Sequence, residues 1–222
     1  MTDRIRFINF PPSDVEILRD HVQRAWQKGI QDFRTYGQAK EIKLNGNPWR
    51  SDFSGSDGAR RLVRKLLEAL YDMGWVLQAA IDLSKKESDK DSLIFRYQSP
   101  PPPPCEWLSI SFDRSDRLRI SDPPSSDLAA TVVSAFGQTV SKDERKPGYF
   151  EIKFHGYPWY PSGEETVKTR MMVVRLLEVL ESFGYTLYAS IDQTNGPEGE
   201  ESDVLVVHKQ KNWVPGMPIW HR

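Results

Sequence analysis

Glu41-Ile-Lys-Leu-Asn-Gly-Asn-Pro-Trp49 and Glu151-Ile-Lys-Phe-His-Gly-Tyr-Pro-Trp159 are one stretch written twice, 110 positions apart. Carried on to Asp82 and Asp192, the comparison gives 17 identities in 42 positions. Ordinary composition would supply about two or three. At a spacing of 112 the likeness reaches outward: Pro11-Pro-Ser13 falls on Pro123-Pro-Ser125, and Asp91-Ser-Leu-Ile-Phe95 on Asp203-Val-Leu-Val-Val207. A period of this length is too long for a solenoid unit and suits a small domain. The sequence therefore predicts two homologous units, 1–98 and 107–210. A proline-rich linker at 99–106 joins them, and a tail of aromatic and proline residues follows at 211–222. The five prolines Pro100 to Pro104 favour an extended spacer of about 15 Å, the alternative being a ligand for a proline-reading module.

Within one unit, hydrophobic spacing sets the elements. Arg4-Ile-Arg-Phe-Ile8 alternates like a half-buried strand, as does Arg117-Leu-Arg-Ile120. Ser13 and Glu16 have capping-box spacing, ahead of a helix with Val15, Leu18, Val22 and Trp26 on one stripe; Leu128, Val132 and Phe136 repeat it. In Glu41-Ile-Lys-Leu44, Ile42 and Leu44 point to a core while Glu41 and Lys43 face water. The clearest helices carry Leu62, Val63, Leu66, Leu67 and Leu70, or Met172, Val173, Leu176, Leu177 and Leu180, and end at Gly74 and Gly184. Leu77, Ala79 and Ile81 then alternate as a strand, like Leu187, Ala189 and Ile191, before last strands at Leu93-Ile-Phe95 and Val204–Val207. The expected order is strand-helix-strand-helix-strand-strand, an α+β two-layer sandwich with both helices on one face of a four-stranded sheet. Right-handed crossovers follow if its first three strands are parallel. Trp107–Phe112 adds a hairpin strand before the second unit. Units this small are marginal alone, so the expectation is a monomer holding an intrachain pseudo-dimer.

Composition narrows the class. Lys+Arg number 30 and Asp+Glu 31, with 38% hydrophobic and 11% aromatic residues, which suits a packed core and not a disordered chain. Near-zero net charge disfavours general polyanion binding. No apolar run approaches the roughly 18 residues of a membrane span, and the first residues lack a signal-peptide core. The single Cys105 permits no internal disulfide. Together these predict an intracellular protein, cytoplasmic with the nucleus as the alternative, and with no membrane association.

Candidate binding residues come from the repeat. Pro48-Trp49 and Pro158-Trp159 end matching turns, where an indole could stack on a ligand or plug the sandwich. Arg60, Arg61, Arg64 and Lys65 form a basic stretch on the second helix of the first unit. The glycine- and serine-rich segment 50–59 before it could cradle a phosphate but lacks the P-loop pattern. Asp82 and Asp192 close matching strands, and His155 stands alone where the first unit has Asn45. No spacing suggests a metal site, and neither Cys105 nor any serine has a nucleophile's neighbours. No cofactor and no catalytic set are expected.

The element order is similar to that of the Alba nucleic-acid-binding proteins, and the repeat pattern resembles uncharacterised eukaryotic duplicated-domain proteins. The Alba resemblance implies nucleic-acid binding through a basic first loop and a basic last hairpin. Here Pro11-Pro-Ser-Asp14 has no basic residue, and Gly196–Asp203 has four acids. The first expectation is accordingly a non-catalytic interaction or scaffold protein with a protein partner. The second is RNA or DNA binding through the basic helix of the first unit, and the third a small-molecule enzyme with a site between the repeats.

Overall fold

A computed structural model describes residues 3–49, 56–81, 83, 91–192 and 203–219. The chain divides into two compact units, Met1–Pro102 with Asp192–Glu201, and Pro103–Ile191 with Ser202–Arg222. The first unit runs β1 (Arg4–Ile8), α1 (Pro12–Ala25), β2 (Ile30–Tyr36), β3 (Ala39–Leu44), α2 (Ser56–Asp72), β4 (Trp75–Ile81) and β5 (Ser92–Tyr97). The second runs β6 (Cys105–Asp113), β7 (Arg117–Ser121), α3 (Ser126–Phe136), β8 (Val140–Lys146), β9 (Tyr149–Phe154), α4 (Glu165–Ser182), β10 (Thr186–Ile191) and β11 (Val204–Gln210). Both are mixed α/β sandwiches, two homologous copies in tandem, and the hairpin strand ahead of the second unit is present as β6.

Two details differ from the sequence expectation. Between the helices each unit has a hairpin, β2–β3 or β8–β9, and not a single strand. Among the described residues every strand pairing is antiparallel, and no parallel crossover arises there. The missed strands are sheet edges. Val140-Ser-Lys-Asp-Glu-Arg-Lys146 offers one apolar residue in seven, which protects an edge from further pairing but erases the alternation that marks a strand. With the extra strand, the element order departs from the one that suggested Alba.

The irregularities are duplicated along with the strands. The β2–β3 ladder shifts register between Ile30 and Asp32, and β8–β9 between Val140 and Lys142. Likewise β4 shifts between Leu77 and Ala79, and β10 between Leu187 and Ala189. Bulges re-aim side chains and are built features of a fold. Their recurrence at equivalent positions ties the two copies more closely than residue identity does.

Cores form where the alternation of the strands meets the helical stripes. In the second unit Leu118, Ile120, Ile152, Phe154 and Val207 pack on Leu128, Val132, Leu176 and Leu180. In the first, Phe7, Ile42 and Leu44 pack on Leu18, Val22, Leu62 and Leu70. The second-unit sheet is continuous, ordered β10-β11-β6-β7-β9-β8. In the first unit β1-β3-β2 and β4-β5 are separate sheets.

The helix starts diverge. Ser125 caps α3, accepting from the Leu128 amide at 3.2 Å. α1 begins at Pro12 behind Pro11 with no side-chain cap. The expected Ser13–Glu16 capping box does not form, because proline occupies the N-cap and first-turn positions. Asp14 in that first turn accepts instead from the Trp75 indole at 2.9 Å.

Gly74 (φ +92) and Gly184 (φ +85) close α2 and α4 in the left-handed region. A Cβ on Gly74 would lie 2.5 Å from the Gln98 carbonyl oxygen, and one on Gly184 would enter the Trp213 ring. The start of the tail is thus seated on the second unit by Trp213, whose indole donates to the Met217 carbonyl. Gly184→Ala is expected to cost more than the roughly 1–3 kcal/mol of left-handed strain, with a lowered Tm and a changed tryptophan emission. Gly148→Ala serves as the control, having φ +89 but nothing within 4 Å of the built Cβ. It should cost the strain alone.

Candidate functional site

The expected water-facing glutamate of β3 is 1% exposed. Alternation places Ile42 and Leu44 on the helix side and Glu41 on the helix-free side. There Arg6 of β1 and Arg34 of β2 stand directly opposite it on the two flanking strands. Arg6 Nε donates to one carboxylate oxygen at 2.8 Å. Arg34 donates to the other through Nε at 3.1 Å and Nη2 at 2.9 Å, and Arg4 Nη1 donates to that same oxygen. The second unit repeats this around Glu151: Arg119 Nε at 2.7 Å, Arg117 Nη1 at 3.1 Å and Lys146 Nζ at 2.9 Å. An outer acid recurs too, Asp3 beside Arg4 and Lys43, Asp116 beside Arg117 and Lys153.

Aromatic rings lie under the cations. Arg6 sits 4.4 Å from the centroid of Tyr36, and Arg119 4.8 Å from that of Tyr149. Tyr36 pairs across the hairpin with Ala39, and Lys146 with Tyr149. The tyrosine has therefore changed strands between copies while staying at the same cross-strand pair.

Burial raises the Glu41 pKa, but the hydrogen bonds from Arg6, Arg34 and Arg4 outweigh it and bring it to about 2. Glu151 comes to about 2 in the same way, burial opposed by Lys146 and Arg119. A carboxylate held by charge-assisted bonds stays ionised at any physiological pH. It cannot act as an acid or base near neutrality, and its charge holds the surrounding arginines beside the tyrosine rings.

The residues singled out from sequence fall as follows. Trp49 and Pro48 are buried, and Trp159 and Pro158 half-buried. Each indole donates to the carbonyl of the first ladder arginine, Trp49 to Arg4 at 3.1 Å and Trp159 to Arg117 at 2.7 Å. The Trp159 ring also meets Phe112 and Phe154 edge-on. Along α2, Arg60 pairs with Asp57, and Arg64 and Lys65 share Glu68; Arg61 is exposed. Segment 50–55 and Asp82 lie outside the described residues. Asp192, half-buried, follows β10, and His155 is exposed in the turn after β9. The structure thus gathers His155, Pro158 and Trp159 at one turn, and Arg64 with Lys65 on one carboxylate.

The ladder residues themselves were not singled out. Asp-Arg-Xaa-Arg at 3–6 and 116–119, ahead of Glu-Ile-Lys in both copies, is the signal that would have found them. Among the described residues no three His, Cys, Asp or Glu side chains gather as a metal site, and no helix is long and apolar enough to cross a membrane.

A family model for a domain of uncharacterised type matches residues 1–96 and again 106–208. No curated protein and no solved structure matches the chain.

Both glutamates have native pKa values below the ordinary 4.5. Each contributes stability that is complete above about pH 4.5 and is lost as pH falls toward 2, on the order of 3 kcal/mol at most. Denaturant unfolding at pH 7 and at pH 3 should show that loss. Glu41→Gln and Glu151→Gln should each be less stable at pH 7 and flatten the dependence.

Proposed function

The chain belongs to that domain family through both of its units, and on this premise we propose that it is a non-catalytic interaction protein whose recognition surface is the arginine and tyrosine ladder of each unit. The supporting observation is the duplicated ladder: two faces, each with arginines fixed on a buried glutamate and stacked over a tyrosine. Arginine and tyrosine are the residue types that dominate protein–protein hot spots. Fixing them beforehand removes part of the ordering cost of binding. Each ladder sets two acids among its four bases, Asp3 and Glu41 in the first and Asp116 and Glu151 in the second, so its cations already face carboxylates of the chain itself. On α2 the basic stretch meets acids of its own helix, which supports a protein partner over RNA or DNA. The buried Cys105 suits a reducing, intracellular setting.

Tyr36→Ala and Tyr149→Ala test the reading, since neither ring bonds the central glutamate. Partners captured from cells by the wild-type chain should be lost by the double variant, by roughly thirtyfold in affinity if each ring contributes about 1 kcal/mol or more. Circular dichroism should stay unchanged. Identical partners on both chains would refute the assignment.

A further inference from the structure

We propose that the first unit accepts an extended strand of a partner polypeptide between β5 and β1, in the place that β6 occupies in the second unit. This deepens the interaction reading and rests on it for its biological use, but it concerns a sheet edge and not the charged face.

The second unit supplies the template. β6 is paired on both sides, Cys105–Ile110 with β11 and Ser109–Asp113 with β7. It sends Leu108 and Ile110 into the core, with Phe112 packed against them. The first-unit counterparts of its neighbours are β5 and β1. The equivalence of β1 and β7 rests on three matched bonds: Trp49 to Arg4 and Trp159 to Arg117, Leu44 to Asp3 and Phe154 to Asp116, and the glutamate ladder. Among the described residues β5 pairs only with β4, and β1 only with β3. Among the described residues no strand ladder joins the two sheets, and Phe10 bridges them with its ring, edge-on to Phe7 at 5.8 Å and Phe95 at 6.2 Å and tilted against Trp75 at 4.6 Å.

The core side of the slot shows what is missing. Ile5, Leu93 and Phe95 are half-exposed, whereas their counterparts Leu118, Leu205 and Val207 are buried. A strand inserted there would cover them, as Leu108 and Ile110 cover theirs. The middle of β5, Leu93-Ile-Phe95, is an apolar run that among the described residues pairs with β4 alone, and an apolar edge of this kind recruits another strand. Charge adds a register mark. Asp113 of β6 lies 3.2 Å from Arg119, whose counterpart is Arg6. The partner segment is therefore apolar at alternate positions and ends on an acid opposite β1.

The experiment uses the full chain and a peptide of the chain's own residues 106–113, Glu-Trp-Leu-Ser-Ile-Ser-Phe-Asp. Hydrogen exchange should show amides of Arg4–Ile8 and Ser92–Tyr97 gaining protection that saturates, about tenfold at ten times Kd. A peptide with Ile110→Pro should confer none. Absence of that protection, equal protection by the proline peptide, or protection confined to the second unit overturns the proposal. In a second arm, residues 105–115 are grafted ahead of Asp3. This chain should melt at higher temperature and no longer take up peptide; unchanged melting with unchanged uptake also overturns it. Partner loss in the tyrosine variants, with no peptide uptake by the wild type, would leave the interaction reading standing and remove this one.

Discussion

A one-residue slip of β3 would drive Glu41 into an apolar core and turn Ile42 and Leu44 out to water. Both sides of the strand forbid it. The helix side demands the two apolar residues, each fully buried, and the open side demands a carboxylate within reach of arginines on both neighbours. A buried charge stripped of its partners costs several kcal/mol, and period-two alternation makes any single slip invert every side chain. The same double constraint acts on β9 through Glu151, Ile152 and Phe154. Register in the centre of each sheet is thus set twice, by hydrophobic burial and by charge.

With the centre pinned, the periphery has been free to change. The tyrosine of the ladder sits on β2 in one copy and β9 in the other. One first helix is capped by Ser125, while the other opens on two prolines and lends Asp14 to Trp75. The second-unit sheet runs unbroken through six strands, whereas the first is split, its halves held by the Phe10 aromatic cluster. Sequence constraint has stayed where it positions the glutamate and relaxed where only coverage is needed. The Pro-Trp turns belong to the conserved part: each indole ties the end of its turn to the carbonyl of a ladder arginine.

Much of this architecture is legible in the sequence. The duplication, the four helices, their glycine stops and the central and last strands all follow from periodic apolar residues, because the same side chains that signal an element also bury it. The hairpin strands β2 and β8 escaped because an edge strand needs little apolar content and is safer without it. Ser13 and Glu16 have the spacing of a capping box, but the prolines before them start the helix and leave that spacing without effect.

The chain's own order of residues settled which face of each strand is apolar and how often the pattern recurs, since alternation and period are local properties. What covers the other face was not local. Glu41 was expected in water, and alternation could say no more; its partners come from positions 4, 6 and 34, brought together by strand pairing alone. Trp49 likewise found its acceptor 45 residues away. Hydrogen bonds and ion pairs between distant residues exist only once the sheet has formed, so the candidate site came from tertiary structure.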